Sequence, residues 1–320
     1  AASDVYKRQD FNQPIGAWDT SSVTTMSRTL CMAFSFNQDL SNWNTSKVTT
    51  MYGMFLDAHV FDQNIGSWDV SGVTAMNDMF HDARVFNNGG SSSISGWDTS
   101  AVTTMSYMFA ESTGFNQPIG IWDTSSVTDM SYMFYRHSSS AGGMTFNQDV
   151  GSWDVSNVTN MYGLFGQNSA FNPNAFNNGG SSSISGWDTG KVTNMDRTFM
   201  YCNTFNQPIG NWNTSKVTSM SQMFSKAQAF NQSLDSWDVT GVTNMSNMFD
   251  GATSFNNGGS TGINNWRPSS CTSMSSMFQS TSFNQPIGDW DTSSVNNFRR
   301  MFNNNNLSLI HISEPTRPSS

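Results

Sequence analysis

The stretch FNQDLSNWNTSKVTTMYGMFLDAHV, residues 36–60, is one copy of a 25-residue unit that recurs along nearly the whole chain. All eleven tryptophans stand at the same place in their copies: Trp18, Trp43, Trp68, Trp97, Trp122, Trp153, Trp187, Trp212, Trp237, Trp266 and Trp290. Self-similarity at a short fixed period is typical of proteins whose repeats stack on their neighbours. The sequence therefore predicts one stack of about eleven coils.

Seven positions of each copy are apolar almost throughout. In the second copy they are Phe36, Leu40, Trp43, Val48, Met51, Met54 and Phe55. The last three, with Ala58, are spaced i, i+3, i+4 and i+7 in the manner of one face of a short helix. Thr50 precedes them and is an N-cap residue type. The Met-rich segment is therefore predicted to form about two turns of helix.

Residues 40–45 predict a short strand, because an aliphatic residue, an aromatic residue and Thr precede a Ser at a turn. Strands stacked in register would form a parallel sheet with a spacing of about 4.8 Å. Helices need about 8–10 Å between their axes, so the mismatch predicts a curved stack. We expect an α/β repeat with short parallel strands on one side and short helical turns on the other.

The composition narrows the partners. The chain carries 14 Lys and Arg against 23 Asp and Glu, a net charge of −9. A duplex-binding surface needs a basic stripe, so nucleic acid is not an expected partner. Cys31, Cys202 and Cys271 have no metal-ligand spacing and suit small core positions. No cofactor is expected.

The two ends of the chain break the repeat. Residues 1–9 and 307–320 resemble translated read-through of sequencing adapters, as found in metagenomic gene predictions, whereas residues 10–306 form the single repeat domain. Natural linkers are the alternative. If the ends are artefacts, the absence of a signal peptide says nothing about location. Uncapped end coils are expected to promote self-association.

Three copies carry a Gly/Ser-rich insertion between the leading Phe and the aliphatic residue before Trp, at residues 87–93, 177–183 and 256–262. Loops on a rigid scaffold are frequent binding sites, so the insertions are interpreted as ligand-contact loops. A neutral insertion copied by recombination is the alternative, since the first two are identical. The candidate contact residues are Asn87, Ser91, Ser92, Asn177, Ser181, Ser182, Asn257 and Ser260.

A column of carboxylates follows the tryptophans: Asp19, Asp69, Asp98, Asp123, Asp154, Asp188, Asp238 and Asp291. One hypothesis is a row of weak Ca²⁺ sites, since hard cations take carboxylate oxygens. The other is a series of Asx turns, in which each carboxylate accepts from nearby amides. Asn44 and Asn213 replace Asp in two copies and favour the turn, because Asn makes it without charge.

Two further columns are polar. Thr recurs two and six residues after Trp, and a flat array of these hydroxyls would suit an ice-interacting protein, although curvature argues against it. Asn recurs after the leading Phe and is interpreted as pairing with the backbone at a buried corner. His59, His81 and His137 occupy non-equivalent positions, and no Ser or Cys has a repeated base partner, so no enzymatic activity is expected.

The repeated residues Phe-Asn-Gln, Trp-Asp-Thr-Ser, Val-Thr and Met-Phe resemble BspA-like leucine-rich-repeat surface proteins, and more narrowly the Trp-Asp-Thr/Met-Phe class known from mycoplasma lipoproteins. The resemblance covers about residues 11–302. It implies a right-handed leucine-rich-repeat-like solenoid that is on a cell surface or secreted and used for adhesion to a host or neighbouring cell. Such a scaffold binds a protein or a glycan. The family offers no catalytic residues to transfer.

Overall fold

A computed structural model describes residues 9–137, 143–168 and 174–305. Within these ranges each repeat forms one coil, and successive coils are joined by backbone hydrogen bonds. The predicted α/β architecture is wrong, because from residue 10 onward the described residues contain no α-helix and no β-strand. Six 3-10 helices are present: η1 Asn88–Gly90, η2 Ser92–Gly96, η3 Asn178–Gly180, η4 Ser182–Gly186, η5 Asn257–Gly259 and η6 Thr261–Asn265.

The Met-rich segment forms tandem turns in place of the predicted helix. In coil two, the amide of Met54 donates to the carbonyl of Met51 at 3.1 Å, and that of Ala58 to Phe55 at 3.0 Å. Each turn closes over three residues. Met51, Met54, Phe55 and Ala58 are all fully buried. Tandem turns thus satisfy the same apolar spacing that an amphipathic helix would.

The amides between these turns explain why no helix forms. Those of Met51, Gly53, Phe55 and Asp57 donate to carbonyls of coil three at 2.8–3.0 Å. Gly53 and Asp57 have φ of 56° and 59°, in the left-handed region. The left-handed residues interrupt the right-handed backbone and turn these amides toward the next coil. In an α-helix, each amide would instead donate to the carbonyl four residues earlier.

The predicted strand is also replaced by turns. Trp43 donates its amide to Leu40 at 3.0 Å, and Val48 donates to Thr45 at 2.9 Å. In the described residues, parallel pairing is confined to isolated bridges, of which one column runs from Thr25 to Asn297 with one residue per coil. The curvature predicted from a helix–strand mismatch therefore loses its premise, because the described coils contain neither an α-helix nor a strand.

The predicted core columns are confirmed. From Trp43 to Trp290 the tryptophans are 1–8% exposed, whereas Trp18 in the first coil is 60% exposed. Each buried indole Nε1 donates to a carbonyl of the preceding coil at 2.9–3.4 Å. Phe rings of the two Phe columns pair at 3.6–4.0 Å, as in Phe165–Phe176. The core is thus a set of stacked aromatic columns that hold one coil on the next.

Polar columns also join the coils. The amide oxygen of Asn12 accepts from the backbone of Asn37 at 3.0 Å, and the same ladder continues to Asn284. The predicted pairing with backbone is confirmed, but several of these Asn, including Asn37, are exposed, so the predicted buried corner is wrong. Cys31, Cys202 and Cys271 are buried, as expected of core residues. None of the described helices is long and apolar enough to cross a membrane.

Close contact between coils predicts a severe effect of one added methyl group. A Cβ on Gly120 would lie 2.2 Å from the carbonyl oxygen of Asp149 in the next coil. Gly120→Ala should therefore lower the free energy of unfolding by about 1–3 kcal/mol, as overpacking does. The matched control is Gly186→Ala, where a Cβ meets nothing within 4 Å. Urea denaturation of both variants checks this, and equal stability would contradict the close contact.

Candidate binding surface

The position ten residues after each Trp forms an edge of the stack that we call the turn edge. Its backbone is left-handed in every coil, with φ of 53–62°. Glycine, which adopts this conformation most easily, occupies it only in coils two and six, as Gly53 and Gly163. The other occupants are Arg28, Asp78, Tyr107, Tyr132, Arg197, Gln222, Asn247, Ser276 and Arg300. The side chains of the turn edge therefore differ from coil to coil, in contrast to the uniform core.

Aromatic rings of coils three to six lie side by side along the turn edge. Tyr107 and Tyr132 occupy the turn-edge position, whereas Tyr162 is one residue before it and His81 three residues after it. The first two ring pairs are stacked, and the Tyr132 and Tyr162 rings are tilted by 39°. The ring centroids are 5.6 Å apart for His81 and Tyr107, 4.5 Å for Tyr107 and Tyr132, and 4.6 Å for Tyr132 and Tyr162. The guanidinium of Arg197, in coil seven, lies 5.6 Å from the Tyr162 ring centroid. We call these five residues the tyrosine ladder. All five are partly exposed, so the ladder is a continuous aromatic strip on the surface.

Two tyrosines of the ladder have raised pKa values. Partial burial raises the pKa of Tyr107, and burial followed by the neighbouring Tyr162 hydroxyl raises the pKa of Tyr132. These two phenols therefore stay protonated at neutral pH. His137 lies beside the ladder, with its ring 5.5 Å from that of Tyr132, and partial burial lowers its pKa. Arg197 supplies a positive charge at one end.

The tyrosines are costly at these positions. Tyr107 and Tyr132 have φ of 56° and 58°. A left-handed backbone costs a residue with a Cβ about 1–2 kcal/mol. Strain of this kind is concentrated at functional sites, where a side chain is needed in spite of its backbone cost. The other non-Gly residues of the turn edge have the same left-handed backbone. The continuous, partly exposed aromatic strip is therefore what makes the ladder the strongest candidate for a binding surface.

The three predicted ligand-contact insertions occupy equivalent places on coils four, seven and ten. Their second Asn is fully buried, and its Oδ1 accepts an amide of the preceding coil. The backbone amide of Ile65 donates to Asn88 Oδ1 at 2.9 Å, that of Val150 to Asn178 Oδ1 at 2.8 Å, and that of Leu234 to Asn257 Oδ1 at 2.9 Å. The insertions are thus anchored by a buried side chain, although the sequence suggested loops that bury nothing.

The candidate residues of the insertions divide into anchored and exposed side chains. Asn87 and Asn177 belong to the Asn ladder, and their Oδ1 atoms accept from the next coil at 3.0 Å. Asn257 is the buried anchor of its insertion. Ser91, Ser181 and Ser260 are partly exposed and cap the following 3-10 helix through their hydroxyls, whereas Ser92 and Ser182 are exposed.

A polar groove borders the first insertion. It has a volume of about 550 Å³, and Ser93 of the insertion lines it together with Asp39 and Asn64 of earlier coils. The exposed parts of the insertions and this groove remain accessible to a ligand, so their role in binding stays a prediction.

The Asp column has the geometry of Asx turns. In each of the eight, Oδ1 accepts an amide two residues on at 2.9–3.1 Å, and Asn44 and Asn213 do the same. Hydrogen bonds from the Ser hydroxyl and then the Ser amide lower the pKa of Asp19, Asp69, Asp98, Asp154 and Asp291. Among the described residues, none of the eight joins a cluster of three metal-ligating side chains. Ca²⁺ binding by this column stays a prediction.

The two Thr columns do not lie on one surface. Thr45 and its equivalents two residues after Trp are buried, except for Thr292 in the last coil, which is partly exposed. The buried hydroxyls donate to backbone carbonyls of the next coil, as from Thr45 to Asp69 at 2.8 Å. Thr49 and its equivalents six residues after Trp are exposed. The flat two-row hydroxyl array suggested for ice binding is therefore absent from the described coils.

Apolar cavities lie at both ends of the described stack. One of about 580 Å³ is lined by Trp290, Phe298 and Phe302 of the last coil, and another of about 220 Å³ by Phe11, Ile15 and Trp18 of the first. In the interior these same positions are covered by the neighbouring coil.

The stacked coils and their variable edge define a repeat protein. Sequence comparison assigns its family: the family described as Mycoplasma protein of unknown function, DUF285, matches four times, at residues 2–93, 88–182, 173–261 and 260–311. The chain belongs to this family, and the mycoplasma-type part of the predicted resemblance is confirmed. Neither the curated proteins nor the solved structures gave a match in comparison with this chain.

Proposed function

We propose that this protein is a non-enzymatic repeat scaffold, on a cell surface or secreted, that binds a protein or a glycan of a host or neighbouring cell. Membership of a mycoplasma repeat family supports the scaffold role. The finer relationship to BspA-like surface proteins is also part of this proposal. This relationship is supported by the Phe-Asn-Gln, Trp-Asp-Thr-Ser and Met-Phe motifs alone. The fold adds no support, because the described coils contain no leucine-rich-repeat strands.

The tyrosine ladder is the observation that carries the proposal. Tyr and Arg are enriched among the residues that dominate binding energy at protein interfaces. Tyr offers a large contact area with few rotatable bonds, and Arg offers five hydrogen-bond donors on a planar group. The ladder sets three Tyr and one Arg side by side on a rigid scaffold. The core residues are nearly the same in every coil, whereas the turn-edge residues differ. This pattern fits a scaffold whose surface residues determine which ligand it binds.

A double substitution tests the ladder without removing the coils. Tyr107→Asn with Tyr132→Asn removes two rings, and Asn tolerates the left-handed backbone better than most residues. Binding of wild type and variant to immobilised collagen, laminin and a glycan array is measured by surface plasmon resonance. We expect the double variant to lose at least about tenfold in affinity, since truncation of a single hot-spot residue costs about 2 kcal/mol or more.

Two further variants serve as controls. Ser276→Asn changes the same turn-edge position in coil ten, away from the ladder, and should bind as wild type does. Ser92→Lys with Ser182→Lys adds bulk to two insertions without touching their buried Asn anchors. Loss of binding in this variant with full binding in the ladder variant would reject the ladder and favour the insertions. Absence of wild-type binding to every immobilised protein and glycan would contradict the proposed adhesion role.

A further inference from the structure

Three side chains of metal-ligating types, from coils two and three, come together four to six residues after the turn-edge position. Asp57, His59 and Asp82 each offer one ligand atom, and these atoms lie within 4.8 Å of one another. His59 Nε2 is 3.1 Å from Asp82 Oδ2. All three residues are partly buried. Within the described ranges this is the only group of three or more such side chains.

The positions of these residues hold different residue types in different coils. Asp57 and Asp82 occupy the position fourteen residues after Trp, where coil one has Met32 and coil four has Glu111. His59 lies sixteen residues after Trp, where coil one has Phe34 and coil four has Thr113. Coil stacking does not require an imidazole or a carboxylate at these positions, so the fold itself does not explain the group.

The imidazole is held in place before any ligand arrives. The His59 ring stacks on Phe34 with centroids 4.4 Å apart and an interplanar angle of 12°. The backbone amide of Asp57 donates to the carbonyl of His81 at 2.8 Å, which fixes the spacing between the two coils. A rigid ring and a fixed backbone reduce the ordering cost of coordination.

The two carboxylates of the group lie close together. The ligand oxygens of Asp57 and Asp82 are within 4.8 Å of each other, and like charges at such a distance repel. Arg84 Nε and Nη2 each lie 2.9 Å from the Asp82 carboxylate. Its side chain is 57% exposed, so it can move aside. A divalent cation between the carboxylates would relieve their repulsion.

We propose that Asp57, His59 and Asp82 form a Zn²⁺ site that links coils two and three. Imidazole nitrogen with carboxylate oxygen suits Zn²⁺ better than Ca²⁺ or Mg²⁺, which take oxygen ligands. Bonds of about 2.0–2.1 Å around a tetrahedral ion separate ligand atoms by about 3.4 Å. The 3.1 Å between His59 Nε2 and Asp82 Oδ2 is near that value. The Asp57 carboxylate oxygen lies within 4.8 Å of the other two ligand atoms, so coordination requires it to move closer, and the fourth position is left for water.

Isothermal titration of the metal-free chain with Zn²⁺ tests the site. His59→Phe keeps a ring on Phe34 but removes the ligand nitrogen, and Asp57→Asn keeps a residue that tolerates φ of 59°. We expect one Zn²⁺ to bind wild type and each variant to weaken binding by at least about tenfold, the scale on which even indirect ligand partners act. Zn²⁺ should raise the melting temperature of wild type, and EDTA should reverse the rise.

The chain offers a matched control in His81. Its Nδ1 lies 3.0 Å from Asp78 Oδ1, and its ring is in contact with Tyr107, but it belongs to no group of three ligands. His81→Phe should bind Zn²⁺ within about twofold of wild type. Melting in EDTA shows whether each variant is folded. Unchanged affinity in folded His59→Phe or Asp57→Asn, or no saturable binding by wild type, would overturn the proposal.

Discussion

Replacing Trp153 with alanine is expected to lower the free energy of unfolding by about 3–5 kcal/mol, the range for large aromatic residues in packed cores. The Trp153 side chain is 3% exposed, and its ring packs between those of Phe134 and Trp187. Its indole Nε1 donates to the carbonyl of Ile119 at 3.0 Å. The substitution therefore removes ring contacts and a bond between coils five and six together.

The first coil provides the control for this result. Trp18 holds the same place in its repeat but is 60% exposed. Trp18→Ala should lower the free energy of unfolding by less than about 1 kcal/mol, because the exposed Trp18 ring buries little apolar surface that the substitution could remove. Both free energies are measured by urea denaturation. Equal losses at the two positions would contradict a stack in which interior coils are covered on both sides.

Replacing Asn178 with alanine is expected to lower the free energy of unfolding by about 2–3 kcal/mol. Asn178 is fully buried, its Oδ1 accepts the Val150 amide at 2.8 Å, and its Nδ2 donates to the carbonyl of Ser181 at 2.9 Å. A buried amide left unpaired costs about 1–3 kcal/mol. The lost bond to Ser181 adds to this cost.

Ser182 lies four residues further on and is exposed. Ser182→Ala should change the free energy of unfolding by less than about 0.5 kcal/mol, as most surface substitutions do. Thermal melting followed by circular dichroism compares the two variants. A stable Asn178→Ala would mean that the insertion is a neutral addition, as its possible origin by recombination suggested.

The core could be predicted from the sequence because its columns repeat. Trp, Val, Met and Phe recur at fixed places, and a stack places equivalent residues on one another. Met51, Met54, Phe55 and Ala58 are buried as predicted. The helix drawn through them was wrong, because apolar spacing of three and four residues is shared by helices and by tandem turns. Residues with a left-handed backbone, such as Asp57, favour tandem turns over a helix. Many residue types adopt this backbone here, so the amino-acid type does not reveal it.

The candidate sites were missed because their residues are not repeated. His81, Tyr107, Tyr132, Tyr162 and Arg197 come from five coils and differ in type. Aligning the coils on Trp would have placed Tyr107, Tyr132 and Arg197 at one position, which was the available signal. The same alignment places Asp57 and Asp82 together. The contact between His59 and Asp82 depends on side-chain direction, and spacing alone does not give that direction.

The sequence by itself determined that this protein is a stack of about eleven coils with aromatic and Met columns inside, since periodic burial follows from a periodic chain. Only the tertiary structure decided how each coil is built. Backbone amides of each Met-rich segment donate to carbonyls of the next coil. These hydrogen bonds form only when the coils are stacked, so the sequence of one repeat does not reveal them. The same assembly places unlike side chains of different coils within contact distance, and so creates both the tyrosine ladder and the Asp57, His59 and Asp82 group.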